Sequence, residues 1–202
     1  MKLHRSRLIG VLSVMGLAGA ALSLPSGGAQ ANGPVLTIMQ IQGAGHLSPF
    51  EGVSVTTTGV VTAVAFNGYY VQDPVGDGNV DTSDGMFVFQ FGNIPNVGDL
   101  VELTDTITEN VPGGCSTGNL STTQMSFPNV VDMGPGPAVT PTVVGSSGRV
   151  PPAVDVISDS ELPDQLQPSF CPGGGSAGTF NPANDGIDFY ESLEGMLVTV
   201  ED

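Results

Sequence analysis

Val53–Phe66, VSVTTTGVVTAVAF, constrains this chain more than any other stretch. It is long, rich in β-branched residues, and carries Gly59 in its interior. Val and Thr favour the pleated, half-buried surface of a strand. A strand of this length with a glycine inside it coils sharply or bulges, as where a small barrel bends one strand across both its halves. Asn67-Gly68 then reads as a tight hairpin turn leading into Tyr69–Gln72. With 29 Gly, 16 Pro and almost no helix-forming runs, the expected class is all-β with long loops.

The acidic stretch between Gly68–Gln72 and Met86–Phe91 comes next. Asp73, Asp77, Asp81 and Asp84 sit there with no Lys or Arg beside them. Carboxylates so close repel one another, so solvent screens them or a hard cation sits among them. Asp77, Asn79 and Asp81 stand at the i, i+2, i+4 spacing that opens an EF-hand-like calcium loop, and Asp84 follows. Thr82 occupies the place of the required Gly and no Glu closes the loop, so this is no EF-hand. Two expectations stand side by side: a Ca²⁺ site drawing on Asp73, Asp77, Asn79, Asp81 and Asp84, and a solvated turn in which these side chains bond the nearby backbone. Gly76-x-Gly78 lacks a following helix and Lys and is no phosphate loop.

Residues 1–31 read as a secretory leader. Lys2, Arg5 and Arg7 precede the apolar run Leu8–Leu24, and Ala29-Gln30-Ala31 offers a cleavage pattern. The run is short and broken by Ser and Gly, which argues against a membrane anchor. Export and cleavage before Asn32 are therefore expected. The mature chain then keeps Arg149 alone against 20 acids, a formal charge of −19. Such a surface repels phosphate backbones, so weak or no direct nucleic-acid binding is expected. Two cysteines in an exported chain invite a Cys115–Cys171 disulfide.

Along the chain, Val35–Gln42 alternates enough for an opening strand, and Gly43–Pro49 reads as a turn in which His46 is a plain loop residue. Pro95–Asp99 turns into Leu100–Glu109, an alternating strand. Leu120–Met125, Val130–Asp132 and Thr142–Val144 are weaker strand candidates. Ser158–Leu166 holds a short helical turn limited by Pro163, and Pro168–Asn184 is a Gly/Pro-rich loop tethered through Cys171. Leu193–Thr199 repeats Phe50–Thr56 at four of seven positions, so a second β module is expected to start near Ser192. The expected organisation is a leader at 1–31, a β-barrel module at 32–145, a disulfide-tethered connection at 146–191, and the start of a second module at 192–202, the chain being a fragment of something longer.

The runs IQGAGHLSPFEGVSVTTTGVVTAV, GYYVQDPVGDGNVDTSDGMFVF and FYESLEGMLVTVED resemble the OB-fold-like region ahead of the catalytic domain in secreted bacterial nucleases of the endonuclease/exonuclease/phosphatase superfamily. The likeness spans most of residues 36–202. Its most specific pieces are Gln72-Asp73-Pro74, Gly76-Asp77-Gly78, Thr82-Ser83-Asp84-Gly85 and Tyr190–Met196. It implies a five-stranded Greek-key barrel with strands at Val53–Phe66, Tyr69–Gln72, Met86–Phe91, Leu100–Glu109 and within 120–144. Gly92–Asp99 leaves no room for the usual helix between strands three and four.

The resemblance further implies a non-catalytic accessory module whose partner is a nuclease domain downstream in the same polypeptide. Mg²⁺ or a similar divalent ion would serve that domain, whose catalytic motifs map onto no position here. No catalytic residue is assigned, because no general base, nucleophile and orienting partner can be assembled. The alternative is a calcium-stabilised extracellular β module for surface or adhesive interactions. Phe87, Phe89 and Phe91 share a strand face and most simply point into the barrel. Tyr69 and Tyr70 cannot both do so, and one of them is a candidate for stacking on bases. Arg149 is expected to pair with a carboxylate.

Overall fold

The computed structural model describes residues 33–156, 162, 165–176 and 178–201. The leader and most of the Ser158–Leu166 helical turn lie outside them. The first element is not the expected strand but a short helix, α1 (Ile38–Gln42). Thr37 caps it: its hydroxyl accepts from the Gln40 amide, and the Gln40 side chain accepts from the Thr37 amide. That T-x-x-Q capping box outweighs the apparent alternation of VLTIMQIQ. Only Val35 bridges to a strand, at Thr56. Ile38, Met39 and Ile41 are buried in the main core.

Five strands close a barrel. β1 (Ser54–Ala65) pairs through its first half with β4 (Asp99–Asn110) and through its second half with β2 (Gly68–Gln72). β2 pairs with β3 (Gly85–Phe89). β3 runs parallel to β5 (Thr122–Ser126), and β5 returns antiparallel to β4. The circuit 1-2-3-5-4-1 is the all-β, helix-poor, OB-like barrel expected from the long first strand. Gly92–Asp99 connects β3 to β4 without a helix.

β1 passes from β4 to β2 at Gly59–Val60, and the expected bulge falls just beyond, between Val61 and Ala63; Gly59 has a second task besides. A Cβ at Gly59 would lie 3.0 Å from Ile38 Cδ1 and 3.1 Å from Val71 Cβ. The glycine thus makes room for α1 against the barrel. The core comprises Val55, Val61, Tyr69, Val71, Met86, Val88, Val101, Leu103, Ile107 and Met125, with the α1 residues. Tyr69 is fully buried and its hydroxyl finds no partner, so burial pushes its pKa up to about 12.

β6 (Asn129–Pro135) continues the antiparallel pairing of β5 along β4. The two are legs of one run, broken at Phe127-Pro128, where Phe127 takes φ +57°. Beyond the barrel, β7 (Thr142–Val144) pairs in parallel with β8 (Val198–Val200). Thr142–Val144, read above with the barrel module, is therefore joined to the end of the chain. Between them stands α2 (Gly186–Glu191), capped by Asp185, within the segment read as a bare connection. Val144, Phe189 and Leu193 form a second small core with Met196 packed on it. Cys115 and Cys171 are disulfide-bonded, fastening the β4–β5 loop to the chain ahead of α2.

Candidate functional site

A polar seam joins the C-terminal segment to the barrel, and it is made from the motif residues. The Gln72 side-chain oxygen accepts from the Leu197 amide at 2.7 Å, and the Gln42 side chain donates to the Gly85 carbonyl at 2.6 Å. The Ser83 hydroxyl donates to the Glu194 carbonyl at 2.5 Å. Gly85 and Gly195 meet backbone to backbone: a Cβ on Gly85 would sit 2.4 Å from the Gly195 carbonyl carbon. Neither position admits a side chain without moving one segment off the other.

At the centre of the seam lies His46, fully buried. Its Nε2 is 2.7 Å from Asp188 Oδ1 and its Nδ1 is 3.3 Å from Glu191 Oε2. Asp188 is itself buried, and its other oxygen accepts from the Asn181 amide at 2.6 Å. Burial alone would lower the His46 pKa, but the Glu191 and Asp188 carboxylates outweigh it and hold the imidazole above its ordinary 6.5.

Two more carboxyls adjoin. Glu109 Oε1 accepts from the Ser48 amide at 2.7 Å and from the Thr123 hydroxyl at 2.8 Å. Glu194 turns its carboxyl inward and accepts from the Thr123 amide at 3.0 Å. Burial raises both, Glu109 against its hydrogen bonds, and Glu194 further because the Glu191 and Glu109 charges stand beside it. One imidazole thus stands among four carboxyls: Glu109 from β4, Asp188 and Glu191 from α2, and Glu194 from the turn after it. Among the described residues, no group of three or more His, Cys, Asp or Glu could hold a metal ion.

The acidic loop uses its oxygens locally. Asp73 Oδ1 accepts from the Val75 and Gly76 amides at 2.9 and 3.0 Å. Asp77 Oδ1 accepts from the Asn79 amide at 2.9 Å, and Asn79 Oδ1 from the Asp81 amide at 3.2 Å. These are the self-bonded turns that Asp and Asn favour. Asp84 is held above the ordinary carboxylate range by burial and by the Asp77 and Asp73 charges. Among the described residues, Arg149 does not form the expected carboxylate pair. It donates to the Val80 carbonyl at 3.0 Å and the Ser192 hydroxyl at 2.7 Å, and lies 4.9 Å over the Phe189 ring. One cation thereby fastens the acidic loop to the end of α2.

The aromatic residues divide against expectation. Met86 and Val88, not the phenylalanines, face the barrel interior opposite Val71 and Tyr69. Phe87 and Phe89 point outward, where Phe87 stacks on Tyr70 at 5.0 Å and Phe89 meets Phe127 edge-on at 5.4 Å. Every residue of GMFVF but the first is apolar, so strand parity could not be read from hydropathy. Tyr69, being buried, leaves the surface candidates, and Tyr70 stays among them.

His46 and its partners were missed for a concrete reason: the contact spans 142 residues of chain. The available signal was Asp188, Glu191 and Glu194 at three-residue steps behind Asp185, a helix-cap residue. The repeated Phe50–Thr56 and Leu193–Thr199 segments share one local geometry. In each, the Glu-Gly pair ends in a left-handed glycine, Gly52 at φ +78° and Gly195 at +68°. The next amide closes the turn, Val53 onto Phe50 and Met196 onto Leu193, and a strand follows.

Residues 143–202 match a domain of unknown function (DUF8508). That region takes in α2, β8 and the C-terminal half of the seam. No curated protein matches the chain.

Proposed function

We propose that this chain is a non-catalytic, OB-fold-like accessory module of a secreted bacterial nuclease, positioning the enzyme or its substrate while phosphodiester hydrolysis takes place in a domain further along the polypeptide. What supports this reading is where the resemblance residues fall. Gln72, Ser83, Gly85 and Glu194 interlock barrel and C-terminal segment through hydrogen bonds and a glycine-on-glycine contact. Residues that carry the likeness thus hold the module together, as domain-defining residues do. The leader-like start places the module outside the cytoplasm on this reading.

The purified protein is expected to show no hydrolysis of DNA, RNA or phosphomonoesters with Mg²⁺, Mn²⁺ or Ca²⁺. Turnover that follows the protein through purification and disappears on one carboxylate-to-amide change, Glu191→Gln or Asp84→Asn, overturns the non-catalytic part. The nuclease part is tested by the coding sequence past residue 202. A metal-dependent phosphodiesterase domain there supports it, and a stop codon or tandem β repeats overturns it.

A further inference from the structure

Outside the barrel, β2, β3 and β5 border an open groove of about 500 Å³. Tyr70, Phe87 and Phe89 line it, with Asn67, Asn110 and Gln124 among the polar groups around them. Asn67 belongs to the β1–β2 turn and Asn110 ends β4, so the groove lies on the strand 2–3 face between the two loops through which barrels of this type take oligonucleotides or oligosaccharides.

Its chemistry separates those two ligands. Among the described residues, none that lines it is charged. A nucleic acid could stack its bases on the rings, but its phosphates would meet no Lys or Arg here, on a chain of net charge −16. A neutral sugar needs what the groove has. Aromatic faces take the apolar side of a pyranose, and side-chain amides and the hydroxyls of Thr122 and Ser126 can exchange hydrogen bonds with its rim. The groove is also left open at a cost. Phe127 at its edge is 58% exposed and held at φ +57°, a conformation unusual for a bulky side chain. Phe91 beside it is 56% exposed. Together these rings keep an apolar edge in water next to the groove.

We propose that this groove binds a neutral oligosaccharide, which would make the accessory module a carbohydrate-targeting one; the inference rests on that accessory reading only for its biological sense, not for the binding itself. Isothermal titration of the whole chain with cello-, malto-, laminari- and chito-hexasaccharides, and with a short oligothymidylate, tests it. At least one sugar is expected to bind with a dissociation constant below about 1 mM, and oligothymidylate more weakly than that sugar at physiological salt.

Tyr70→Ala should weaken sugar binding by about tenfold or more, as loss of a stacking ring does, while Tyr70→Phe keeps it within about threefold. Because Tyr70 also packs on Phe87, Asn110→Ala at an exposed position gives an independent variant, with an expected loss of about threefold. Absence of binding by every sugar at about 5 mM, or binding indifferent to both Tyr70→Ala and Asn110→Ala, overturns the proposal. Tighter binding of oligothymidylate than of any sugar overturns it in favour of nucleic acid. Sugar binding accompanied by nuclease turnover would sink the non-catalytic reading and leave this one standing.

Discussion

The aromatic groove and the acid–histidine seam are built from opposite sides of the same strand pair. On the last rungs of β4 and β5, Asn110 stands across from Thr122 and Glu109 across from Thr123. Asn110, Thr122 and Gln124 go to the groove, while Glu109 and Thr123 go to the seam. A one-residue alternation therefore divides an open surface lined by uncharged residues and edged by the exposed rings of Phe127 and Phe91 from a closed cluster rich in charge. The groove leaves apolar groups in water, and the seam takes charges out of it. Neither is what core formation alone would select, and the two respond oppositely to perturbation. Removing a group from the seam should cost fold stability, whereas removing one from the groove should chiefly cost binding.

The sharpest way to break the contrast is His46→Ala. It strands Asp188, fully buried, and Glu191 without the imidazole they share, and where that imidazole is protonated, breaking a buried charge pair in this way costs about 3–5 kcal/mol. Chemical denaturation should show that loss. If His46→Ala melts like the parent, the seam is not holding the C-terminal segment. Next in size is the Cys115–Cys171 bond, which closes a loop of 56 residues' separation. In the chain-entropy view its loss by double Cys→Ser exchange should cost about 4 kcal/mol or somewhat less. Sugar binding should persist under native conditions if the groove belongs to the barrel alone.

What could be read in the sequence follows the same division. The barrel strands were legible because β-branched runs and turn pairs such as Asn67-Gly68 are local signals. The disulfide was legible because only two cysteines exist. Three things were not. α1 looked like a strand because VLTIMQIQ is apolar under either period, and only Thr37 with Gln40 marks a helix start. The outward turn of Phe87 and Phe89 was hidden because their neighbours Met86 and Val88 are apolar as well. His46 looked idle because its partners arrive from α2, an element whose position depends on tertiary packing and on Asp155 and Val156 accepting its first free amides.

Acidity should separate the seam from the groove. His46 has a folded pKa above its ordinary value, so its stabilising charge is complete below about pH 6.5 and is lost as pH rises through the raised value. Glu109 and Glu194 are also raised, so their ionisation opposes folding once pH exceeds the ordinary value near 4.5. All three make the folded state bind more protons than the unfolded chain, and stability then falls as pH rises. The melting temperature should be higher near pH 5 than near pH 8. Glu194→Gln should flatten that slope, since it removes an ionisation that burial opposes while leaving an acceptor for Thr123. A melting temperature that climbs with pH would contradict the protonation scheme.

The smallest expected effect belongs to the acidic loop, where charge is neither buried as in the seam nor absent as in the groove. Asp73, Asp77 and Asn79 already accept backbone amides. Asp84 is pressed upward by burial and by the Asp77 and Asp73 charges. A calcium ion would have to compete with those turns for its oxygens, so about 1 mM calcium should raise the melting temperature by less than about 1 °C. Magnesium should do less still, since it demands a tighter octahedral shell. A rise of several degrees with calcium, abolished by Asp77→Ala and by Asp81→Ala, would establish the loop as a cation site and favour a calcium-stabilised surface module. The same rise surviving both changes would move the ion elsewhere.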